Sequence, residues 1–314
     1  MTLPPGFTSR PATLGDLDGV ATLVGAWELK YVGESQAVRA MLQYEWGAAS
    51  FDMQRDTRVI HAADGWLAAF AQHSTPDPEL LRYHAFGPVD PSFEGQGLGS
   101  SIIDWTEKET RSRIGQGSTA RLWNSVQAGN AGAIALLESR GYATIRSFWE
   151  MTLDLDGSFE AGAVPEGVTI RPVVMEVDGP AAQSVVNTAF RSHFGHVEET
   201  FEEWLTQQEA DDTWDPTLGL LAELEGTIVG FSNNGVIDGV GYVFELGVLP
   251  QMQGRGIGRA LLRHSFAMLA GRGIAKGRLG VDTQNVTGAV ELYRSIGMTQ
   301  VSERRTVEKL IAAD

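Results

Sequence analysis

Two glycine-rich turns stand where a strand gives way to a helix: Gly95-Gln96-Gly97-Leu98-Gly99-Ser100 and Gly254-Arg255-Gly256-Ile257-Gly258-Arg259. Glycine lets the backbone approach a ligand closely, and the first amides of a helix, with its dipole, form a ready anion site. One such turn is equally a flexible connection. Its recurrence at the same structural place points to phosphate binding. A dinucleotide site wants Gly-x-Gly-x-x-Gly/Ala and an acid about 20 residues on. Gly254, Gly256 and Asp282 fit that pattern, but Arg259 and Ser100 fill the third glycine's place, and the first copy offers only Asn124 and Ser125 at the strand end. A nicotinamide oxidoreductase is therefore a weaker reading. A P-loop fails for want of Gly-Lys-Ser/Thr.

The charge is uneven. Acids outnumber bases 40 to 24, a formal charge of −16, which repels nucleic acid and anionic membranes. From Ser192 to Gly254 no lysine or arginine occurs against twelve acids, among them Glu198, Asp211, Asp212 and Glu245. From Arg255 to Asp314 ten bases meet five acids, so a phosphate-bearing ligand finds attraction there. Arg255, Arg259 and Arg263 recur every four residues, which sets the latter two along one helix face beside the turn. The first copy has no arginine there and carries Glu94 where Gln253 stands.

The elements that position these turns occur twice. Phe7-Thr8-Ser9-Arg10-Pro11 parallels Val168-Thr169-Ile170-Arg171-Pro172, and Asp64-Gly65 parallels Glu225-Gly226, both 161 residues apart. The glycine turns follow at 159, and Asn130 to Gly141 parallels Asn285 to Gly297 at 155 and 156. Two copies of one domain are expected, 1–157 and 166–314, joined by a segment of small and turn residues from Asp156 to Gly167. Each copy reads as strand, one or two helices, a hairpin, a strand into the glycine turn, a helix, a strand, a helix and a last strand. That is an α/β (α+β) class, a mixed sheet flanked by helices. With 43% hydrophobic residues both copies can build a core. No cysteine is present, which excludes disulfides, thiolate nucleophiles and cysteine-bound metal; no metal site is expected. No apolar run is long enough to span a membrane. The start, Met1 to Gly6, lacks the pattern of a secretion signal, so a cytoplasmic location is expected.

Gln253-x-x-Gly256-x-Gly258 after Leu246-Gly247-Val248-Leu249-Pro250, with Asn285, Ala289, Leu292, Tyr293 and Gly297 downstream, resembles the GNAT-type N-acetyltransferase superfamily. The first copy repeats the pattern as Val89-Asp90-Pro91, Gly97-x-Gly99 and Asn130, Ala133, Leu136, Gly141. The resemblance thus covers nearly the whole chain as a tandem. It implies two twisted, mostly antiparallel sheets whose central strands splay apart, with acetyl-coenzyme A between them. Its pyrophosphate is expected on Gln253, Gly254, Arg255, Gly256, Ile257, Gly258 and Arg259, and its arm along Leu246, Gly247 and Val248, with Asn285 close by. The matching residues of the first copy are Val89, Gly95, Gln96, Gly97, Leu98, Gly99, Ser100 and Asn130.

The resemblance also implies an activity: direct acyl transfer, most simply acetyl, to a small amine, with Tyr293 protonating the departing thiolate. Leu137 fills the matching slot of the first copy and has no proton to give, so that copy is expected to be silent. The family's strand-four base falls on Tyr242. Glu245 is the candidate base, although strict alternation puts it on the face opposite Tyr242 and Phe244 unless a bulge near Gly247 re-aims it. His193, Trp204 and Tyr242 are candidate acceptor contacts, and the acidic stretch favours a cationic amine. In length and layout the chain resembles the mycothiol synthases among tandem members, but the acceptor-facing positions of that group fall on Tyr242, Gly235 and Gly280. A non-catalytic acyl-coenzyme A sensor is the alternative within the same fold. The repeat suits a monomer that behaves as a pseudo-dimer, or a homodimer.

Overall fold

The computed structural model describes residues 1–34, 38–47, 51–77, 80–157, 159–209, 214–285 and 288–313; Asp211, Asp212 and Ser158 lie outside them. The chain forms two units, Met1–Phe148 with Ser302–Asp314, and Trp149–Val301.

The first unit contains β1 (Phe7–Arg10), α1 (Leu17–Tyr31), α2 (Val38–Gly47), α3 (Met53–Asp56), β2 (Thr57–Ala62), β3 (Leu67–Asp77), β4 (Arg82–Phe86), α4 (Leu98–Arg113), β5 (Thr119–Gln127), α5 (Ala131–Ser139) and the start of β6 (Ala143–Asp154). The second contains the rest of β6, then β7 (Val168–Pro172), α6 (Met175–Phe190), α7 (Phe201–Glu209), β8 (Leu220–Leu224), β9 (Thr227–Ile237), β10 (Val240–Val248), α8 (Ile257–Gly271), β11 (Lys276–Asp282), α9 (Ala289–Ser295) and the start of β12 (Thr299–Ala312). In each unit the first four strands of the copy pair antiparallel in order, and the fifth joins the fourth in parallel. The expected sheet, mixed and mostly antiparallel with flanking helices, is present twice.

The boundary differs from the one the repeat implies. Residues Arg304 to Ala312 of β12 pair antiparallel with β5, from Arg304↔Gln127 to Ala312↔Thr119, so the end of the second copy completes the first unit's sheet. In turn Leu155 N–H donates to the Ala275 carbonyl inside the second unit. Sequence similarity marks the copies, whereas strand pairing decides which core a strand joins. The connecting segment also has a place: Arg263 donates to the carbonyls of Glu160 (2.6 Å) and Ala161 (3.0 Å), and Phe159 meets Phe266 edge-on.

The Arg-Pro repeat has a structural role in both units. Arg10 grips Asp16 with two hydrogen bonds of 2.7 and 2.6 Å, and Arg171 grips Asp178 at 2.6 and 2.9 Å. Each clamp ties the end of the opening strand to the start of the first helix. In the second unit α8 forms because apolar residues recur at three- and four-residue spacing, and Ile257, Leu261, Phe266 and Leu269 are buried against the sheet. Each such side chain contributes about 1.5–3 kcal/mol by leaving water. The helix can lie this close because Gly277 has no side chain: a Cβ there would stand 2.6 Å from the Phe266 ring.

Candidate active site

The site begins with an irregularity in β10. Opposite β9 the register runs Val243↔Asn234 and then Glu245↔Asn233, leaving Phe244 without a partner residue. Such a bulge turns two consecutive side chains to one side and bends the strand. Val243 faces the α8 core with Phe266 and Leu269, and Leu246 and Val248 pack with Ile257 and Leu261. Tyr242, Phe244 and Glu245 are thereby left on the opposite face, where the Tyr242 and Phe244 rings stack 5.9 Å apart. Strict alternation is overturned, and the bulge lies at Phe244 rather than near Gly247.

The bend also ends the pairing with β11. The two strands are in parallel register only at Gly241↔Gly277 and Tyr242↔Arg278, and beyond that they splay around a cleft of about 530 Å³. One wall carries Leu246, Gly247 and Val248; the other carries Leu279, Val281 and Asn285. At the mouth is the glycine turn. Gly256 caps α8 in the left-handed region at φ +82° and offers no side chain to the helix amides. The N–H groups of Ile257, Gly258 and Arg259 belong to the first turn, where no intrahelical carbonyl is available, and all three residues line the cleft. Gln253 and Gly254 line it as well, and the Gln253 amide braces the turn by donating to the Val248 carbonyl at 3.1 Å.

Tyr293, on α9, lines the cleft with its side chain 8% exposed. Burial pushes its phenol up to about 12, so it holds its proton through the neutral range. His193, just past α6, lines the same cleft; its ring lies 4.3 Å from Phe190 and its Nε2 is 3.2 Å from the Asn285 amide nitrogen. Burial lowers its pKa below the usual histidine value, against the pull of Asp282.

Other expected residues lie elsewhere. Glu245 does not line the cleft; its carboxylate accepts from Asn233 at 3.1 Å, and burial pushes it up. Trp204 is 3% exposed and packs edge-on to Phe231 as part of the core. Arg255 is exposed and touches Met252, so of the three arginines only Arg259 lines the cleft, Arg263 being tied to the 160–161 carbonyls. Tyr242 sits at the root of the splay, its hydroxyl 3.5 Å from Arg278. Phe244, Leu279, Val281 and Asp282 also line the cleft; the β11 residues could have been found from strand alternation ahead of the Asn285 motif, but Phe244 depends on the bulge.

The first unit holds a cleft of about 450 Å³ at the matching place. Val89, Gly95, Gly97, Leu98, Gly99, Ser100 and Asn130 line it and Gln96 does not. Here β4 and β5 stay paired from Arg82↔Arg121 through Ala85↔Asn124, and Leu137 takes the place of the buried phenol. Glu94 lines this cleft and is held by Lys30 Nζ at 2.5 Å and the Tyr31 hydroxyl at 2.6 Å.

Comparison with known proteins agrees with this fold. The model of the acetyltransferase (GNAT) family matches residues 26–142 and 185–298. The chain belongs to the GNAT acetyltransferase family. As a tandem GNAT chain it is 31% identical to a mycothiol acetyltransferase of Thermobispora bispora over 92% of its length and 94% of that protein's. It is 30% identical to one from Kineococcus radiotolerans, covering 95% of both. Among solved structures, a GCN5-related N-acetyltransferase from Sphaerobacter thermophilus superposes with a TM-score of 0.85 and 30% identity, over 99% of this chain and 98% of that one. A tandem GNAT protein from the clavulanic acid biosynthesis pathway shares the fold at a TM-score of 0.74 and 12% identity, over 98% and 99%. The chain is thus an N-acetyltransferase of the acetyl-CoA-using GNAT type. The second cleft fits that co-substrate: amides at a helix start for a diphosphate, and the gap between splayed strands, lined by Leu246, Val248, Leu279 and Val281, for the arm. Among the described residues, no helix is long and apolar enough to cross a membrane.

Proposed function

We propose that residues 166–314 carry the active site, which moves an acetyl group from acetyl-CoA to the nitrogen of a small amine, and that the first copy, 1–157, is silent in catalysis. The observation that carries this reading is the buried phenol of Tyr293 at the inner end of a cleft whose mouth is the glycine turn. Bound acetyl-CoA supplies an activated thioester. Ile257, Gly258 and Arg259 would hold its diphosphate, and the backbone of Leu246 and Val248 its arm. Tyr293 keeps a proton at Oη and gives it to the sulfur as the thiolate departs. A free phenol near 10 and a free thiol near 8.5 are not far apart. Burial disfavours both anions, so the transfer stays within reach although the phenol alone looks too weak an acid.

The acceptor approaches from the face carrying Tyr242 and Phe244. The two curated relatives are named for mycothiol, but Gly235, Gly280 and Tyr242 stand where that group's acceptor contacts fall, which argues for a different amine. The acidic run before the glycine turn favours a cationic one. Mass spectrometry of amine pools incubated with the protein and acetyl-CoA tests the reading: one amine gains 42 mass units, about the mass of an acetyl group replacing a proton. A panel of acceptors at low and high salt tests the charge; neutral or anionic amines winning at every ionic strength would sink that part.

A further inference from the structure

We propose that His193 takes the acceptor's ammonium proton, resting on the reading that the second unit's cleft is the site of acetyl transfer. An amine that arrives as a cation must lose a proton before its lone pair can attack, so a base with a free lone pair is needed within reach of the cleft. Glu245 shares the face of Tyr242 and Phe244, but its carboxylate accepts from Asn233 and it does not line the cleft. His193 does line it, from the end of α6, while Tyr293 lines it from α9. Base and acid thus face one space from different elements.

The contact with Asn285 gives the imidazole a fixed position. It joins the end of α6 to the turn that follows β11, with Nε2 and Nδ2 3.2 Å apart. A primary amide offers a donor or an acceptor according to which way it is turned. With Oδ1 toward Nε2–H, the neutral ring keeps its Nδ1 lone pair for the incoming proton, and the same bond persists in the imidazolium. Among the described residues the charged and titratable groups acting on the ring are Asp282 on β11 and His196 on its own loop, and Arg259, Glu291 and Tyr293 line the same cleft from the helices. Burial and His196 oppose the imidazolium and outweigh the pull of Asp282, so the site favours the neutral ring more than water does.

The protons balance. His193 accepts one from the ammonium. As the new C–N bond forms and the C–S bond breaks, the nitrogen loses a second, and the sulfur gains one from Tyr293, which is restored by that second proton. The imidazolium then releases its proton to solvent, so each turnover yields one acetamide, one thiol and one proton.

The test uses the full chain and the amine that the pool experiment returns. In the wild type kcat/KM should fall on the acid side with a midpoint below the reference of about 6.5. His193→Gln should lose that limb and about 100-fold in kcat/KM at neutral pH, while binding acetyl-CoA within about twofold by calorimetry. His193→Ala should regain at least about tenfold on addition of imidazole, a rescue that a purely structural role would not show. If His193→Gln keeps the acid limb and Glu245→Gln loses it, the assignment is overturned. If no amine is acetylated, the reading of the site fails first, and nitrogen-15 NMR of the wild-type histidines with coenzyme A alone then decides His193: a neutral ring at pH 7 that charges below 6.5 supports it, and an imidazolium at pH 7 overturns it.

Discussion

The two clefts of the molecule share a plan and differ at three places. In the second unit the parallel pairing ends at Tyr242↔Arg278; in the first it continues to Ala85↔Asn124, and the cleft is the smaller, about 450 against 530 Å³. At the glycine turn the second unit has the neutral Gln253 and the cation Arg259, whereas the first has the carboxylate Glu94, clamped by Lys30 and Tyr31. At the inner end a phenol, Tyr293, faces the second cleft and an alkyl group, Leu137, the first. The duplicated fold keeps a cleft at the same place in both units, while the residues that line it differ. On the proposed reading the chemistry resides in a few such side chains, which a copy can exchange while keeping its fold.

The contrast can be broken most sharply at the phenol. Tyr293→Phe should lower kcat by about 100-fold with the acetyl-CoA affinity almost unchanged; a small loss would remove the proton donor from the scheme. Leu137→Tyr added to that variant should restore nothing, because the first cleft carries Glu94 rather than a neutral amide at its glycine turn; recovered turnover would show the first cleft to be competent. Next in size is the turn. Gly256→Glu forces a side chain into the left-handed region and sets a carboxylate at the helix start, so acetyl-CoA should bind at least about tenfold more weakly, whereas Gly97→Glu should leave the affinity alone. Titration calorimetry of the wild type should count one acetyl-CoA per chain, and two equivalents would erase the asymmetry at this level.

The smallest effect concerns a feature the copies share. Arg171 holds the Asp178 carboxyl down at about 2 from its ordinary 3.8, and Arg10 holds Asp16 lower still. Between those values the unfolded chain binds more protons than the folded one, so stability present above pH 3.8 is lost as the pH falls toward 2. Urea midpoints measured from pH 5 to pH 2.5 should show the decline, and Asp178→Asn should flatten the second unit's part of it. A slope unchanged in that variant would separate the clamp from acid stability.

The glycine turns, the asparagine motifs and the Arg-Pro repeat could be read directly because each is local: a helix start, a turn or a strand end is set by residues a few positions apart, whereas the clamps on Asp16 and Asp178 came from the structure. The tandem was legible for the same reason, since four such signals recur in order. The face of Glu245 was not, because one unpaired residue at Phe244 reverses the alternation and no composition marks it. Arg263 shows a similar limit: helical spacing gives its side of α8, but the carbonyls of Glu160 and Ala161 more than 100 positions away decide what it holds.

By itself the sequence determined the repeated fold, the place of each glycine turn and the presence of a phenol in only one of two equivalent slots. The tertiary structure alone decided that Arg304 to Ala312 complete the first unit's sheet, that Trp204 lies in the core, and that His193 and Asn285 meet across the splayed strands. The physical reason is range: helix periodicity, caps and turns are written in neighbouring residues, while strand exchange, a bulge and a contact spanning 92 positions depend on which distant surfaces bury one another best.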